Sequence, residues 1–214
     1  MKKLILPFLC LSAVLSATPV SVSLVNAGVP ALSAYGDLVG PYTLSVNGKT
    51  MAAMCMDDFL VVNTGDSWMA NITAVNSANL GDTYLGNGGS QVIFGQTYNS
   101  GQIYRAEAYL FSLITQAGAD RANIQEAAWA LTDSSTLARV VSSHNTAVQT
   151  FIQAATQHSS TFNASLYSIV TQTGNLNNHS KQEFMIASAP EPASCALLGG
   201  SLFALGMLRI RRRK

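Results

Sequence analysis

The chain has 214 residues, only 11% of them charged, with a formal net charge of +1. Seven of its twelve Lys and Arg sit at the two ends, so residues 28–189 carry five basic against ten acidic side chains, a net of −5. An acidic middle excludes a basic nucleic-acid footprint, and three cysteines so widely spaced exclude a disulfide-stapled scaffold.

In chain order, Lys2 and Lys3 open a basic segment, Leu4 to Val14 form an apolar run, and small residues offer cleavage after Ala17 or Ala27. This pattern predicts a secretory leader over residues 1–27, with Cys10 lost alongside it. The 162 residues from Gly28 to Ala189 suit one domain. Tyr42, Leu44 and Val46 alternate with small or polar residues, Asn47-Gly48 is a strong hairpin signal, and a return strand runs from Lys49 towards Met56. A two-residue turn would set Val46 against Lys49, Leu44 against Met51, Tyr42 against Ala53 and Gly40 against Cys55. Short strands are expected at 68–73 and 91–94, with Asn87 to Ser90 a loop between them.

The period then changes. Ile103, Ala106, Leu110, Leu113 and Ala117 follow helical spacing, and Gly118 ends that run. Asp120 is placed to cap a second helix with Ile124, Ala127, Ala128 and Leu131 as its apolar stripe. A third helix is expected over 143–156, and two last strands over 166–171 and 183–187. Strands, then helices, then strands predict a single α+β domain with about three helices.

The C-terminal end differs again. Pro190-Glu191-Pro192 stops any preceding helix. Ala193 to Leu208 carries no charge, and Arg209, Arg211, Arg212, Arg213 and Lys214 close the chain. Sixteen uncharged residues make about 24 Å of helix, enough for a short transmembrane segment with its basic end in the cytoplasm. Pro-Glu-Pro, apolar helix and Arg cluster, in that order, resemble the PEP-CTERM sorting signal of Gram-negative bacteria. The resemblance covers residues 190–214. It implies processing by an exosortase, an initial anchor in the inner membrane, and release to the cell surface or extracellular matrix, often beside exopolysaccharide.

With Cys10 in the leader and Cys195 in the apolar tail, Cys55 is alone in the exported domain. A free thiol outside the cell is open to oxidation unless it is buried or bonded. The second helix holds a matching oddity: Gln125 shares a face with Trp129, one turn later. Met54-Cys55-Met56-Asp57 and Ile124-Gln125-Glu126-Ala127-Ala128-Trp129 resemble the two halves of bacterial thioester domains, and Tyr109-Leu110-Phe111 is also similar to that family. In those surface adhesins the cysteine thiol attacks the glutamine amide and ammonia leaves. The resemblance implies a thioester between Cys55 and Gln125 that captures a surface amine or hydroxyl. Trp129 and Ile124, flanking the amide, would shield the bond, and Asp57 and Asp58 are candidates for a local base by nearness in sequence.

Two other readings stay open. One is a non-covalent structural protein of the matrix, with Cys55 a buried hydrophobe and Gln125 an ordinary helix residue. The other is a cysteine hydrolase using Cys55 and His144. His158 and His179 have no second ligand at metal spacing, and Gly86-Asn87-Gly88-Gly89 lacks the residues of a phosphate loop, so neither metal nor cofactor is expected. No turnover enzyme is expected.

Overall fold

A computed structural model of the chain describes residues 18–32, 36–86, 88–174 and 180–187. The basic and apolar parts of the leader, His179, the Pro190-Glu191-Pro192 signal, the apolar tail and the Arg cluster fall outside the described residues. No helix among the described residues is long and apolar enough to cross a membrane.

The elements are β1 (Val20–Asn26), β2 (Val29–Leu32), β3 (Leu38–Val39), β4 (Tyr42–Val46), β5 (Lys49–Cys55), β6 (Ser67–Ala74), β7 (Ser90–Ile93), β8 (Gln96–Asn99), α1 (Ser100–Ile114), α2 (Arg121–Thr132), α3 (Ser134–Ser142), α4 (Thr146–His158), β9 (Tyr167–Gln172) and β10 (Phe184–Ala187). The class is mixed α and β, with a fourth helix beyond the three expected. Six strands close into an antiparallel barrel in the order β1-β4-β5-β10-β9-β6. Two small ladders, β2–β3 and β7–β8, stand beside it.

The barrel follows from period-two patterning. Val22 and Leu24, Tyr42 and Leu44, Ala53 and Cys55, Trp68 and Ala70, Val170, and Phe184 and Ile186 form one apolar cluster, with all six strands contributing to the interior. Their alternates Met54, Ile169 and Met185 belong to a second cluster, with the apolar faces of α1, α2 and α4. One sheet therefore serves two cores: its inside packs on itself and part of its outside packs on helices. Each large apolar side chain buried in this way contributes about 1.5–3 kcal/mol.

The hairpin between β4 and β5 has the expected register, with Val46 on Lys49, Leu44 on Met51 and Tyr42 on Ala53. Asn47 and Gly48 both take positive φ, 49° and 80°, as the favoured two-residue turn requires. Gly40 departs from expectation. The ladder stops at Tyr42, and Cys55 pairs on its other side with Phe184 of β10. Gly40 has its N–H directed elsewhere.

The folded unit takes in residues before Gly28. Residues 20–26, expected to leave with a leader ending at Ala27, form β1 and bridge β4 and β6. Val-Ser-Val-Ser-Leu alternates apolar with small polar residues, a strand pattern that the small-residue cleavage signal hides. Without these residues the barrel would be left open with two bare edges.

The helices start where side chains cap them. Asn99 and Gln102 form a reciprocal capping box at α1, and Asp120, Asp133 and Asn145 cap α2, α3 and α4. His144, between the cap residues Ser143 and Asn145, is an exposed turn residue with φ 54°.

Candidate functional site

α2 brings Gln125 to Cys55. Its side chain is fully buried, and both ends of the amide are held. Nε2 donates to the Cys55 carbonyl at 2.6 Å, and Oε1 accepts from the Gly40 N–H at 3.2 Å. A methyl group at position 40 would stand 3.1 Å from Oε1, so the space left by this glycine is filled by the glutamine amide. The two residues lie 70 positions apart in sequence, and only packing of α2 against the barrel end joins them.

Cys55 is fully buried, and its Sγ donates to the Asp57 carbonyl at 2.7 Å. Burial pushes the thiol well above its ordinary range, and the charge of Asp57 adds to the effect. The Asp57 main chain and the indole of Trp129 pull the other way, while Glu107 raises it slightly further. The resting sulfur is therefore a protonated thiol at neutral pH, and attack on an amide from this state needs a proton acceptor.

Trp129 lies one turn beyond Gln125, is only 2% exposed, and joins the barrel cluster that contains Cys55. It plugs the barrel end. Its side chain lines a cavity of about 330 Å³ together with, among others, Tyr42, Leu38, Asp37, Asp58 and Asn63. Tyr42 donates its hydroxyl to the Leu38 carbonyl at 2.5 Å, and burial first, with Cys55 and Asp37 adding to it, pushes its phenol above the ordinary range. Ile124 is buried too, but in the cluster among the helices, so it backs α2 and does not cover the sulfur.

The two acids expected as local bases hold structure. Asp58 pairs with Arg139 at 2.8 Å and accepts from the Thr136 hydroxyl at 2.7 Å. The Asp57 carboxylate accepts from the main-chain N–H groups of Leu60 and Glu183. It is the Asp57 carbonyl, not its carboxylate, that meets the thiol. His144 is exposed in the turn between α3 and α4, whereas Cys55 is fully buried.

Sequence reasoning missed several neighbours. Thr132, one turn after Ala128, donates its hydroxyl to the Met56 carbonyl and ties the end of α2 to the strand beyond Cys55. Glu183 accepts from the Tyr104 hydroxyl at 2.8 Å, the Thr171 hydroxyl at 2.5 Å and the Tyr84 N–H at 3.1 Å. Burial raises it to about 7 against these hydrogen bonds. Glu107 of α1 is fully buried, and neither carboxyl oxygen has a hydrogen-bond partner among the described residues. Burial, then the charge of Glu183, holds it protonated. A Glu inside the apolar run of α1 was the available signal for this group. Gly40 acts through its main chain and left none. No family model matches the chain, and neither the curated proteins nor the solved structures contain a match to it.

Proposed function

We propose that the protein is an exported surface or matrix component that attaches covalently to a surface nucleophile through a Cys55–Gln125 thioester. One observation carries the reading: a fully buried glutamine amide is pinned from both ends, on Gly40 and on the Cys55 main chain, one helical turn from a buried tryptophan that lines a cavity. A buried amide needs partners, but it does not need a cysteine beside it. In the proposed reaction Cys55 Sγ bonds to the Gln125 side-chain carbonyl carbon, the C–N bond breaks, and the thiol proton leaves with the amine as ammonia. A target amine or sugar hydroxyl then displaces sulfur, giving an amide or ester and returning the thiol.

The PEP-CTERM resemblance supplies the route: export, a transient inner-membrane anchor, and processing by an exosortase near Pro190-Glu191-Pro192. In a host lacking its exosortase, the protein should stay membrane-bound with its tail intact. Equal release from both strains would remove sorting from the proposal.

The thioester is tested by labelling. Cys55 should resist alkylation in the unfolded chain until methylamine has opened the bond, and should then react. Immediate alkylation on unfolding would favour the non-covalent matrix reading. The hydrogen bond from the thiol to the Asp57 carbonyl is the observation on that side, since it satisfies Cys55 as an inert buried thiol.

A further inference from the structure

The indole N–H of Trp129 is a polar group that shape alone does not explain. The residue is 2% exposed, and Nε1 has no hydrogen-bond partner among the described residues. A buried donor without a partner costs about 1–3 kcal/mol. A phenylalanine or leucine could close the barrel end without that cost. The ring shares the barrel cluster with Cys55, whose own proton points away to the Asp57 carbonyl. The N–H sits one helical turn from Gln125, whose amide touches the Cys55 carbonyl, and it meets no geometric hydrogen-bond acceptor among the described residues in the resting thiol state. Its effect there has a sign: the indole favours the thiolate, against burial and the Asp57 charge.

From this geometry we infer that the Trp129 N–H is the hydrogen-bond donor that receives the Cys55 sulfur as it leaves during target capture. This rests on the thioester reading and gives Trp129 a chemical role beyond that of a lid. As the target nitrogen attacks the Gln125 carbonyl carbon, the C–S bond breaks and its electron pair goes to Sγ. The proton lost by the attacking amine ends on that sulfur, so one amide and one thiol are formed. In the low-dielectric barrel end the developing thiolate has no water to stabilise it. A donor already in place, and idle before the reaction, stabilises the transition state more than the ground state. The cavity of about 330 Å³ that Trp129 lines is the side from which a nucleophile would come.

A lid and a donor predict opposite effects, and the rate of methylamine capture by the full-length chain in detergent separates them. Trp129→Phe thins the lid and deletes the N–H. Replacing Trp129 by β-(3-benzothienyl)alanine keeps the shape and exchanges only N–H for sulfur, so it remains informative if the Phe variant folds poorly. The donor role predicts capture slowed by about tenfold or more in both, a modest share of what a lost donor costs at a developing anion. Capture unchanged in the isosteric variant, or faster in Trp129→Phe, would overturn the inference and leave the thioester standing. A wild-type chain showing no loss of ammonia would overturn both.

Discussion

A methyl group at position 40 would stand 3.1 Å from Gln125 Oε1 and 3.4 Å from Ile114 Cδ1. Gly40→Ala therefore pushes on the amide and on α1 together. Overpacking of this kind costs about 1–3 kcal/mol, and the displaced amide should form its bond more slowly. Intact mass and a thermal melt of the variant would show an incomplete loss of ammonia in a chain that still folds. A fully formed bond would mean that the Gly40 contact does not position Gln125. The buried acids make a second prediction at this scale. Glu183 is raised from 4.5 to about 7. Below 4.5 folded and unfolded chains both hold the proton. Between the two values only the folded chain keeps it, so stability falls as pH rises through that window, by roughly 3 kcal/mol at its top. Melting temperature against pH should show this slope, and Glu183→Gln should flatten it. A wild-type profile that rises from pH 4.5 to 7 would contradict the assignment.

Among the elements, α3 shows what patterning conveys and what it hides. Ser-Ser-Thr at its start favours a turn, and only Thr136, Leu137 and Val140 are buried, too few for a periodic signal. The helix depends on Asp133, which accepts from the Thr136 N–H at 2.5 Å, and on Asp58, which holds Arg139 and Thr136 from the segment after β5. Asp133→Ala should cost about 1 kcal/mol, the usual worth of an N-cap, read as a shift in denaturant midpoint at unchanged slope. No shift would mean that α3 is held by packing alone. Where patterning was strong, the chain was legible. Asn47-Gly48 with Leu44, Val46 and Met51 defined a hairpin and its register, and Asp120 marked the start of α2. The pairing of Gln125 with Cys55 was suggested by the resemblance of two short motifs to thioester domains, and α2 brings the amide to the Cys55 carbonyl. What failed were features of closure. Nothing local says that Val20–Asn26 joins β4 to β6, or that Gly40 leaves the ladder to hold Gln125. Asp57 and Asp58 were near Cys55 in sequence, yet main-chain turns and Arg139 claim their carboxylates.

At the scale of the whole molecule, the barrel and the site stand or fall together. β5 carries Cys55, β10 flanks it, and α2 closes the end, so a gap anywhere in the ring exposes the sulfur. A chain beginning at Thr18 should fold like the longer one, and a chain beginning at Gly28 should not, because it lacks the strand that joins β4 to β6. Circular dichroism and a cooperative melt would check this, and equal melts would show that β1 is dispensable. The central claim is that Cys55 and Gln125 are joined, and the mass of the intact protein tests it most directly. With its ends established by peptide mapping, the isolated chain should weigh about 17 Da less than its sequence, the mass of the ammonia expelled when thiol replaces amine. Cys55→Ala and Gln125→Ala should each weigh what their sequences predict. A wild-type chain at full sequence mass, with Cys55 free to alkylate once unfolded, would contradict the account.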